Sequence, residues 1–534
     1  MGNLLKKIKF NQIFWIFFYF FLFCLLLRGS FNYLDPDLGW HLQVGREIAQ
    51  SQSVPNVNHY NYTFTGNWVD HEWLSNFLVY SIYNNWGYPA VVGVFALLII
   101  LVLVLLNIWT QRLMPQAPIF AVAFFQVLGL VAASPHFGVR IQEVGVLFLL
   151  FLLLIIDHYN RHRNWLILLC LPPLLYLWAC LHASFLIGFF LLGAFIAVKI
   201  GERILKRYYP WRPIDLSSLL KVKEILIFSG AALLSLIATF FTPYKLHLYS
   251  FLSGYKGSFY QTHIQEWLSQ FSFPFKYWQL IYLVFVVLAF IFYLYYSRPN
   301  AAKRFRIDLW TFFLLVLFIV LSFKSRRHFP LMFVATFPFL IAVYNNIFSV
   351  PPKKDVRPLK YWLKFYLLFC LLLVTALQAI QIKFTAAPFR DFCNTFPCAA
   401  VKFLENHPNY DSLNLFNDYA WGGYFIWNLP ERQLFIDGRL PQVEFAGHTF
   451  LEEYLDFFSS EAVIGDKLAK YNIRLILIPV RDKNLTAKKW EKIVFGIKDE
   501  ELIARNHLRD YLLASKNWQP IYYDATAVIY LKKD

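Results

Sequence analysis

Two aspartates on either side of a proline are the residues in this sequence best suited to chemistry. Asp35 and Asp37 flank Pro36 directly after the first long apolar run. Proline disfavours a helical backbone at the preceding residue, so the chain is extended there, and the two side chains project to a similar side with Cα atoms roughly 6–7 Å apart. Such a pair can accept a proton from a hydroxyl or amine nucleophile, or hold a divalent cation, Mg²⁺ or Mn²⁺, through oxygen ligands.

Helix capping is the competing explanation for these aspartates. Apolar residues at helical spacing predict one helix over 38–49 and another from Asp70 to near Gly87, both able to lie in a membrane interface. Asp37 and Asp70 stand at N-cap positions, which Asp suits well. Asp35 lies upstream of the turn with no such role, so we favour it over Asp37 as the proton acceptor. The candidate substrate-binding residues beside this pair are His41, His71 and Glu72.

The composition places these residues in a membrane protein. Of the 534 residues, 58% are hydrophobic and 16% are charged, against about a quarter charged in ordinary soluble domains. The apolar residues form unbroken runs of about 17–22 residues, which exclude a soluble globule, a disordered chain and the short alternating strands of a membrane β-barrel. The fold class is therefore an α-helical polytopic membrane protein.

Eleven apolar runs predict eleven membrane-spanning helices. The runs lie at 10–27, 89–109, 117–133, 143–157, 165–181, 184–200, 225–242, 278–296, 309–323, 329–349 and 361–382. With the N-terminus in the cytoplasm, the loops around 112 and at 157–164, 200–224, 297–308 and 350–360 are internal and carry most of the loop Lys and Arg residues. This distribution follows the positive-inside rule. An odd number of spans then places the loop 28–88 and residues 384–534 outside.

Residues 384–534 have a normal charged content and no spanning run. Segments rich in β-formers alternate with helical patterns, which predicts a C-terminal extracytoplasmic α/β domain following a membrane module at 1–383. The β-rich segments are 412–416, 433–437, 473–479 and 526–531, and the helical ones are 397–406, 450–470 and 499–515. Cys393 and Cys398 lie in this domain, where an oxidising exterior permits a disulfide.

An Asp-x-Asp directly after the first span resembles the first outer loop of the GT-C superfamily of membrane glycosyltransferases. The chain is similar to a bacterial branch described by its likeness to lipopolysaccharide-core transferases and protein mannosyltransferases. The motifs that carry the resemblance are Asp35 to Leu42 with Gly45, Thr63, Gly66, Trp68 and His71 to Leu74, Arg140 to Gln142, Trp178, His182 and Gly188, Glu266 and Trp267, Arg326 to His328, Trp421 to Tyr424, and Asp437 to Arg439. The chain departs from the branch at Ile141, where proline is expected, and at Thr242, where asparagine is expected before the proline.

The resemblance implies a GT-C fold and an enzyme that uses a sugar donor linked to a polyprenyl phosphate or diphosphate, with a lipid, glycan or protein acceptor outside the membrane. Such an enzyme needs a clamp for the donor phosphate, and guanidinium groups bind phosphate well. A basic cluster on a short outer loop breaks the positive-inside trend, and Arg140 lies on another. The cluster is Lys324, Arg326, Arg327 and His328. Snorkelling to lipid headgroups is the alternative role.

Two further candidate substrate-binding positions lie at the outer ends of the spans. His182 stands between two spans with almost no loop, where a polar residue marks a functional site or packs as a satisfied histidine. Glu266 and Trp267 can together bind a sugar, or Trp267 can anchor at the membrane interface.

The C-terminal domain adds candidates of its own. Tyr424 follows the pair Gly422 and Gly423, for which a tight turn is a sufficient explanation. Asp437 and Arg439 come after a β-rich segment, and either pair locally or face the catalytic cavity.

A transporter or flippase and a non-catalytic scaffold of the same fold are the alternative functions. A transporter predicts charges inside the spans and broken helices in two related halves, and the sequence has few such charges and no visible halves. The sequence contains no Walker or dinucleotide-binding loop. The net charge of +17 resides in loops beside the membrane, so membrane lipids are expected partners and nucleic acid is not.

The predicted topology can be tested with reporter fusions. A fusion after Lys383 should behave as external, because eleven spans follow a cytoplasmic N-terminus. Alkaline phosphatase is active when it is exported from the cytoplasm, whereas green fluorescent protein fluoresces when it remains in the cytoplasm. A cytoplasmic signal after Lys383 would contradict the placement of the C-terminal domain.

Overall fold

A computed structural model describes residues 10–29, 31–208, 219–254, 259–296, 308–348, 361–383, 385–445, 447–481, 484–503 and 506–533. Several basic residues assigned to the inner side lie outside the described residues. They are Lys6, Lys7, Lys9 and Arg212, and those within 297–307 and 349–360.

Eleven apolar helices in the described residues correspond to the eleven predicted spans. Eight are long and apolar enough to cross a membrane, and three at 165–181, 309–324 and 366–380 are shorter. The helices of this part are α1 (Phe10–Arg28), α2 (Leu38–Ser51), α3 (Trp73–Leu113), α4 (Ile119–Ala133), α5 (Gln142–His162), α6 (Leu171–Leu181), α7 (Phe185–Tyr208), α8 (Val222–Thr239), α9 (His247–Ser253), α10 (Tyr260–His263), α11 (Tyr277–Tyr296), α12 (Leu309–Lys324), α13 (Phe329–Phe348) and α14 (Tyr361–Ala379). The polytopic helical class is confirmed.

The two helices predicted in the first outer loop are present, but neither has an aspartate side-chain cap. Asp37 occupies the N-cap position of α2, yet its carboxylate accepts a bond from the Trp40 indole instead of a backbone amide of the first turn. The N-cap position of α3 belongs to Glu72, not to Asp70. Asp37 therefore does not cap α2 with its side chain, and Asp70 is not the N-cap residue of α3, although its Oδ1 accepts the backbone amide of Glu72 at 3.2 Å. Helix α3 continues into the second span through a kink at Gly87, whose φ is 77°.

The C-terminal residues form the predicted α/β unit. Its helices are α15 (Pro388–Asp391), α16 (Cys398–Glu405), α17 (Gly422–Asn428), α18 (Phe450–Leu455), α19 (Glu461–Lys470), α20 (Lys489–Phe495) and α21 (His507–Ala514). Its strands are β1 (Asn414–Asn417), β2 (Glu444–Phe445), β3 (His448–Thr449), β4 (Ile473–Pro479), β5 (Trp518–Tyr523) and β6 (Ala527–Lys532). The main sheet has the order β1-β4-β6-β5, with β1 parallel to β4 and the other pairs antiparallel.

One strand prediction in this unit is wrong, and one strand of the main sheet lies outside the predicted segments. The segment 433–437 forms only single bridges, from Leu434 to Asn61 and to Leu415, because it lies between the first outer loop and β1. The sequence analysis missed β5, which contains Pro520 and forms an edge of the sheet, where a proline is tolerated. The predicted disulfide is confirmed: Cys393 and Cys398 are bonded, with Cα atoms 5.3 Å apart.

The C-terminal domain is seated on the acidic loop through glycines. A Cβ atom at Gly39 would lie 2.0 Å from the carbonyl oxygen of Gly423, and one at Gly423 would lie 2.3 Å from the carbonyl oxygen of Pro36. Gly422 has helical backbone angles, so close approach of two backbones, and not a tight turn, requires the glycine pair. A Cβ at Gly438 would lie 2.2 Å from Oδ1 of Asp37, so the domain also touches the acidic pair itself.

Hydrogen bonds and a buried ion pair complete this junction. The amide of Leu434 donates to the carbonyl of Tyr60 at 2.8 Å, and the Thr63 hydroxyl donates to the carbonyl of Phe435 at 2.6 Å. Arg439 pairs with Asp437 and is held between the rings of Tyr60 and Trp68, at 4.5 and 4.7 Å from their centroids. The first outer loop and the C-terminal domain therefore form one continuous body beside α2.

A methyl group at the junction should destabilise the protein. We expect Gly39→Ala to lower the free energy of unfolding by about 1–3 kcal/mol, as overpacking does, because the added Cβ meets backbone that cannot turn aside. Gly193→Ala is the matched control: Gly193 is also helical, and a Cβ there has nothing within 4 Å. Apparent melting temperatures in detergent compare the two variants, and equal temperatures would contradict the close contact.

Candidate active site

Both aspartates of the acidic loop have defined partners. Asp35 is buried, its Oδ1 accepts the amide of Asp37 at 3.0 Å, and its Oδ2 lies 2.7 Å from Nε of Arg140 in an ion pair. Asp37 is half-buried, and its Oδ1 accepts the indole N–H of Trp40 at 3.0 Å. The premise that Asp35 has no structural task is therefore wrong, because both of its oxygens are engaged. Oδ2 of Asp37 forms no hydrogen bond or ion pair with any described residue.

A chain of alternating charges extends from Asp35 across four loops. Nη1 of Arg140 donates to Oε2 of Glu266 at 3.1 Å, and Arg327 bonds Oε1 of the same carboxylate. Asp35 follows α1, Arg140 precedes α5, Glu266 lies between α10 and α11, and Arg327 lies between α12 and α13. We call these four residues the arginine–carboxylate chain. It brings together residues that the sequence analysis had proposed separately.

The loop that carries Glu266 and Trp267 is held by the segment 325–327. The amide of Arg326 donates to the carbonyl of Leu268 at 3.0 Å, and that of Arg327 donates to the carbonyl of Glu266 at 2.9 Å. The guanidinium of Arg327 lies 4.8 Å from the Trp267 ring centroid. Arg327 thus contacts both candidate substrate-binding residues of this loop.

Electrostatics divide the carboxyl groups of the site into two kinds. Burial raises the pKa of Glu266, but the charges of Arg327 and Arg140 outweigh burial and bring it down to about 2. Burial and the neighbouring charge of Asp35 raise the pKa of Asp37 well above its ordinary 3.8. Glu266 is therefore a permanent anion that compensates the arginines, whereas Asp37 can exchange a proton nearer neutral pH.

A second polar group lies where α2, α3 and the 182–184 turn meet. Oε1 of Glu72 lies 3.5 Å from Nε2 of His71 and 3.4 Å from Nε2 of His182. Nδ1 of His182 contacts the hydroxyl of Ser184 at 2.7 Å, and Trp178 donates to that hydroxyl at 2.9 Å. We call Glu72, His71 and His182 the histidine–glutamate group.

His41 is connected to Asp70, just before α3, through the side chain of Asn76. Neither Asp70 nor Asn76 was a candidate site residue predicted from the sequence. Nδ1 of His41 lies 2.6 Å from Oδ1 of Asn76, and the Asn76 amide donates to both oxygens of Asp70 at 2.9 and 2.8 Å. Asn76 interrupts an apolar helix face, which is a signal that could have identified it. Asp70 was assigned to capping.

Charge couples the two groups. Burial and, to a lesser extent, the charge of Arg327 lower the pKa of His182, and Glu72 opposes both; the net result is a pKa of about 4. Burial also lowers the pKa of His41, while Glu72 and Asp35 raise it. His182 is therefore neutral near pH 7, and the arginine–carboxylate chain lies within electrostatic reach of both histidines.

The side chains of the remaining candidate residues are either exposed or engaged in local contacts. Arg326 is 1% exposed and donates to the carbonyls of Gln265 and Ser272. Lys324 is exposed at the end of α12, and Nδ1 of His328 contacts the carbonyl of Leu321 at 3.2 Å. Tyr424 is buried in the C-terminal domain and donates to the carbonyl of Phe389. Asp437 and Arg439 form the local ion pair of the junction.

The acidic pair does not fit a cation held by protein ligands alone. One oxygen of Asp35 already faces a guanidinium, and a hard divalent cation needs about six oxygen ligands. Among the described residues, three side chains close enough to share one ion occur at Glu461, His507 and Asp510, on α19 and α21. That group includes neither Asp35 nor Asp37.

The chain was compared with known proteins by sequence and by structure. No protein-family model and no curated protein matches it. The apo oligosaccharyltransferase of Archaeoglobus fulgidus superposes with a TM-score of 0.55 at 10% identity, covering 97% of this chain and 73% of that one. The chain shares the fold of this archaeal oligosaccharyltransferase.

Two further structures of the archaeal enzyme agree. The enzyme named AglB, in complex with an inhibitory peptide and a dolichol-phosphate, gives a TM-score of 0.54 at 11% identity, covering 96% of this chain and 73% of that one. The form tethered to an acceptor peptide containing the NVT sequon gives 0.52 at 10% identity, covering 97% and 74%. The predicted helical membrane fold with a C-terminal α/β region is thereby confirmed.

Proposed function

We propose that this protein is a membrane glycosyltransferase that moves a sugar from a polyprenyl-phosphate-linked donor to an acceptor outside the membrane. The observation that carries the proposal is the convergence of Asp35, Arg140, Glu266 and Arg327 from four loops on the fold of the archaeal enzyme. Asp37 lies beside Asp35 and against the C-terminal domain. The N-terminus is cytoplasmic and the C-terminal domain extracytoplasmic in this proposal.

Asp37 is the proton acceptor in this scheme. Its Oδ2 is free of partners among the described residues, it is half-buried, and its raised pKa suits a base that works near neutral pH. The acceptor hydroxyl or amine attacks the anomeric carbon, its proton passes to Asp37, and the bond from that carbon to the phosphate oxygen breaks. The phosphate leaves with the electron pair. Asp35 becomes a positioning residue that orients Arg140.

Arg327 and Arg140 bind the donor phosphate. Both guanidinium groups are partly exposed, and both pair with Glu266. A phosphate can bind the same two guanidinium groups, either beside the Glu266 carboxylate or in its place. The dolichol-phosphate in the complex of the archaeal enzyme supports a lipid phosphate as ligand of this fold.

The acceptor is a lipid, a glycan or a protein, and the peptide complexes of the archaeal enzyme favour a protein. His41, His71, Glu72, His182 and Trp267 are the candidate acceptor- and sugar-binding residues. A transporter or a non-catalytic scaffold remains the alternative function. The charged groups described above gather at one end of the helices, beside the C-terminal domain, which favours transfer at a surface over passage through the membrane.

Replacing the two aspartates separately tests the base. Asp37→Asn should reduce turnover roughly 10²–10⁴-fold, the usual effect of losing a general base, while donor binding persists. Asp35→Asn should weaken donor binding as well, because Arg140 loses one of its two anionic partners. Wild-type turnover should rise with pH as Asp37 loses its proton. Purified variants are assayed with a panel of polyprenyl-phosphate sugars.

The same assay also tests whether Asp35 is the base and whether the reaction requires a divalent cation. Full activity in Asp37→Asn with none in Asp35→Asn would return the base to Asp35. Equal loss in both variants, reproduced by a chelator and reversed by Mg²⁺ or Mn²⁺, would instead favour a cation bound by both carboxylates and the donor phosphate.

Arginine substitutions test the phosphate clamp without knowledge of the sugar. Arg327→Ala should weaken binding of undecaprenyl phosphate by roughly 10–150-fold, equivalent to the 1.5–3 kcal/mol of a charge-assisted bond. Lys324→Ala, three residues earlier and exposed, removes the same charge and should change affinity little. Native mass spectrometry with lipid titration measures both. Equal affinity for wild type and Arg327→Ala would move the clamp elsewhere.

A further inference from the structure

An apolar patch on the C-terminal domain has no role in the proposed reaction. Helix α20 has the sequence Lys-Trp-Glu-Lys-Ile-Val-Phe, and only Glu491 of it is buried. The exposed fractions are 46% for Trp490, 74% for Ile493, 66% for Val494 and 49% for Phe495. Four neighbouring large apolar side chains in water are unusual for a folded domain and mark a surface that contacts something apolar.

The exposed residues extend beyond the helix. Leu485 and Ile503 are exposed as well. The amide of Leu485 donates to the carbonyl of Leu502 at 2.8 Å, so the segments before and after α20 contact each other. The apolar patch, as named here, consists of Leu485, Trp490, Ile493, Val494, Phe495 and Ile503.

The apolar patch is fixed at the end of a membrane span. The Phe495 ring lies 4.2 Å from that of Phe275, and the Trp490 ring lies 5.7 Å from that of Tyr277, the first residue of α11. The Tyr277 hydroxyl also bonds the carboxylate of Glu491. Helix α20 therefore stands at the level where α11 begins, and not on the distant side of the domain.

The surface next to the apolar patch is itself apolar. Trp278 and Ile281 of α11 are exposed, as is Phe271 just before it. Because α11 is long and apolar enough to cross a membrane, these side chains face lipid. The ring contacts of Phe495 with Phe275 and of Trp490 with Tyr277 place the apolar patch next to this surface.

The residue types match a membrane interface. Tryptophan is enriched at the headgroup level, and Lys residues with an apolar opposite face are typical of segments that lie on a bilayer. Lys488 and Lys489 precede the apolar side chains, and Nζ of Lys488 lies 5.6 Å from the Tyr277 ring centroid. These ammonium groups can reach lipid phosphates while the apolar side chains enter the leaflet.

We propose that the apolar patch is immersed in the interface of the membrane leaflet on the side of the C-terminal domain, and that it anchors this domain to the bilayer beside α11. The anchor is independent of the proposed catalytic function. It gives the domain a second attachment besides the glycine junction, so the domain is fixed both to the acidic loop and to the lipid surface.

Site-specific labelling of the full chain tests the anchor. The four free cysteines, Cys24, Cys170, Cys180 and Cys370, are replaced by alanine, and the disulfide is kept. A polarity-sensitive fluorophore is attached at Ile493→Cys or at the control Leu513→Cys. Leu513 is a matched control because it is 68% exposed and lies in α21 of the same domain. Each protein is placed singly in phosphatidylcholine nanodiscs with a nitroxide near the lipid headgroup.

The nitroxide should quench the label at 493 about twofold, because an interfacial helix buries its apolar face roughly 5–10 Å into the headgroup boundary. The label at 513 should be unaffected and should be quenched by aqueous iodide instead. Equal iodide quenching at both positions overturns the proposal. So does protection from iodide without lipid quenching, which would mean that protein covers the apolar patch.

A second measurement uses the unaltered sequence. A phosphatidylcholine with a photoactivatable group near the headgroup should crosslink to peptides containing 490–495 and not to peptides containing 507–514. Mass spectrometry locates the adducts. Adducts on both peptides in equal yield, or on 507–514 alone, contradict an anchor at α20.

Discussion

The direct contact of two backbones, at Gly39 and Gly423, determines how the rest of the molecule is arranged. With no room for a side chain at either residue, α17 of the C-terminal domain lies against the first turn of α2. Gly438 is thereby brought against the carboxylate of Asp37, and Arg439 reaches the aromatic rings of Tyr60 and Trp68. A residue of ordinary size at this junction would separate the domain from the acidic loop, and the half-buried setting of Asp37 would open to water.

Charge compensation explains why the arginines can lie in so enclosed a place. Each guanidinium of the arginine–carboxylate chain has an anionic partner: Asp35 and Glu266 for Arg140, and Glu266 for Arg327. Removing one member would leave a partly buried charge without its partner, which is far more unfavourable than removing an exposed pair. A donor phosphate would bring further negative charge, and the arginines are the groups that can accept it. Asp35, for which the sequence predicted no structural role, is thus the aspartate of the pair with partners at both carboxylate oxygens.

Sequence reasoning reached the elements and single residues of this site, but not the contacts between them. The spans were readable because a bilayer requires about 20 apolar residues in each helix. Arg140, Glu266 and Arg327 each attracted attention for a local reason, as a basic or aromatic loop residue. Arg140 and Arg327 both bind the carboxylate of Glu266 because loops more than 50 residues apart in the sequence pack together. Likewise, a turn was predicted at Gly422 and Gly423 because nothing local indicates that the carbonyl oxygen of Pro36 lies 2.3 Å from where a Cβ of residue 423 would be.

Different partners distinguish Asp37 from Glu266, and the C-terminal domain contributes to the burial of Asp37. Both carboxyl groups lose water, but Glu266 has two guanidinium partners, whereas Asp37 has an indole N–H and the negative charge of Asp35. The backbone at Gly438 covers one side of Asp37, and this contact removes solvent that would otherwise hold the pKa of Asp37 near its ordinary value. The C-terminal domain therefore contributes to the proton affinity of a group in the loop between α1 and α3. The side chains of the candidate site all belong to residues 1–383, and the C-terminal domain covers part of Asp37 through Gly438.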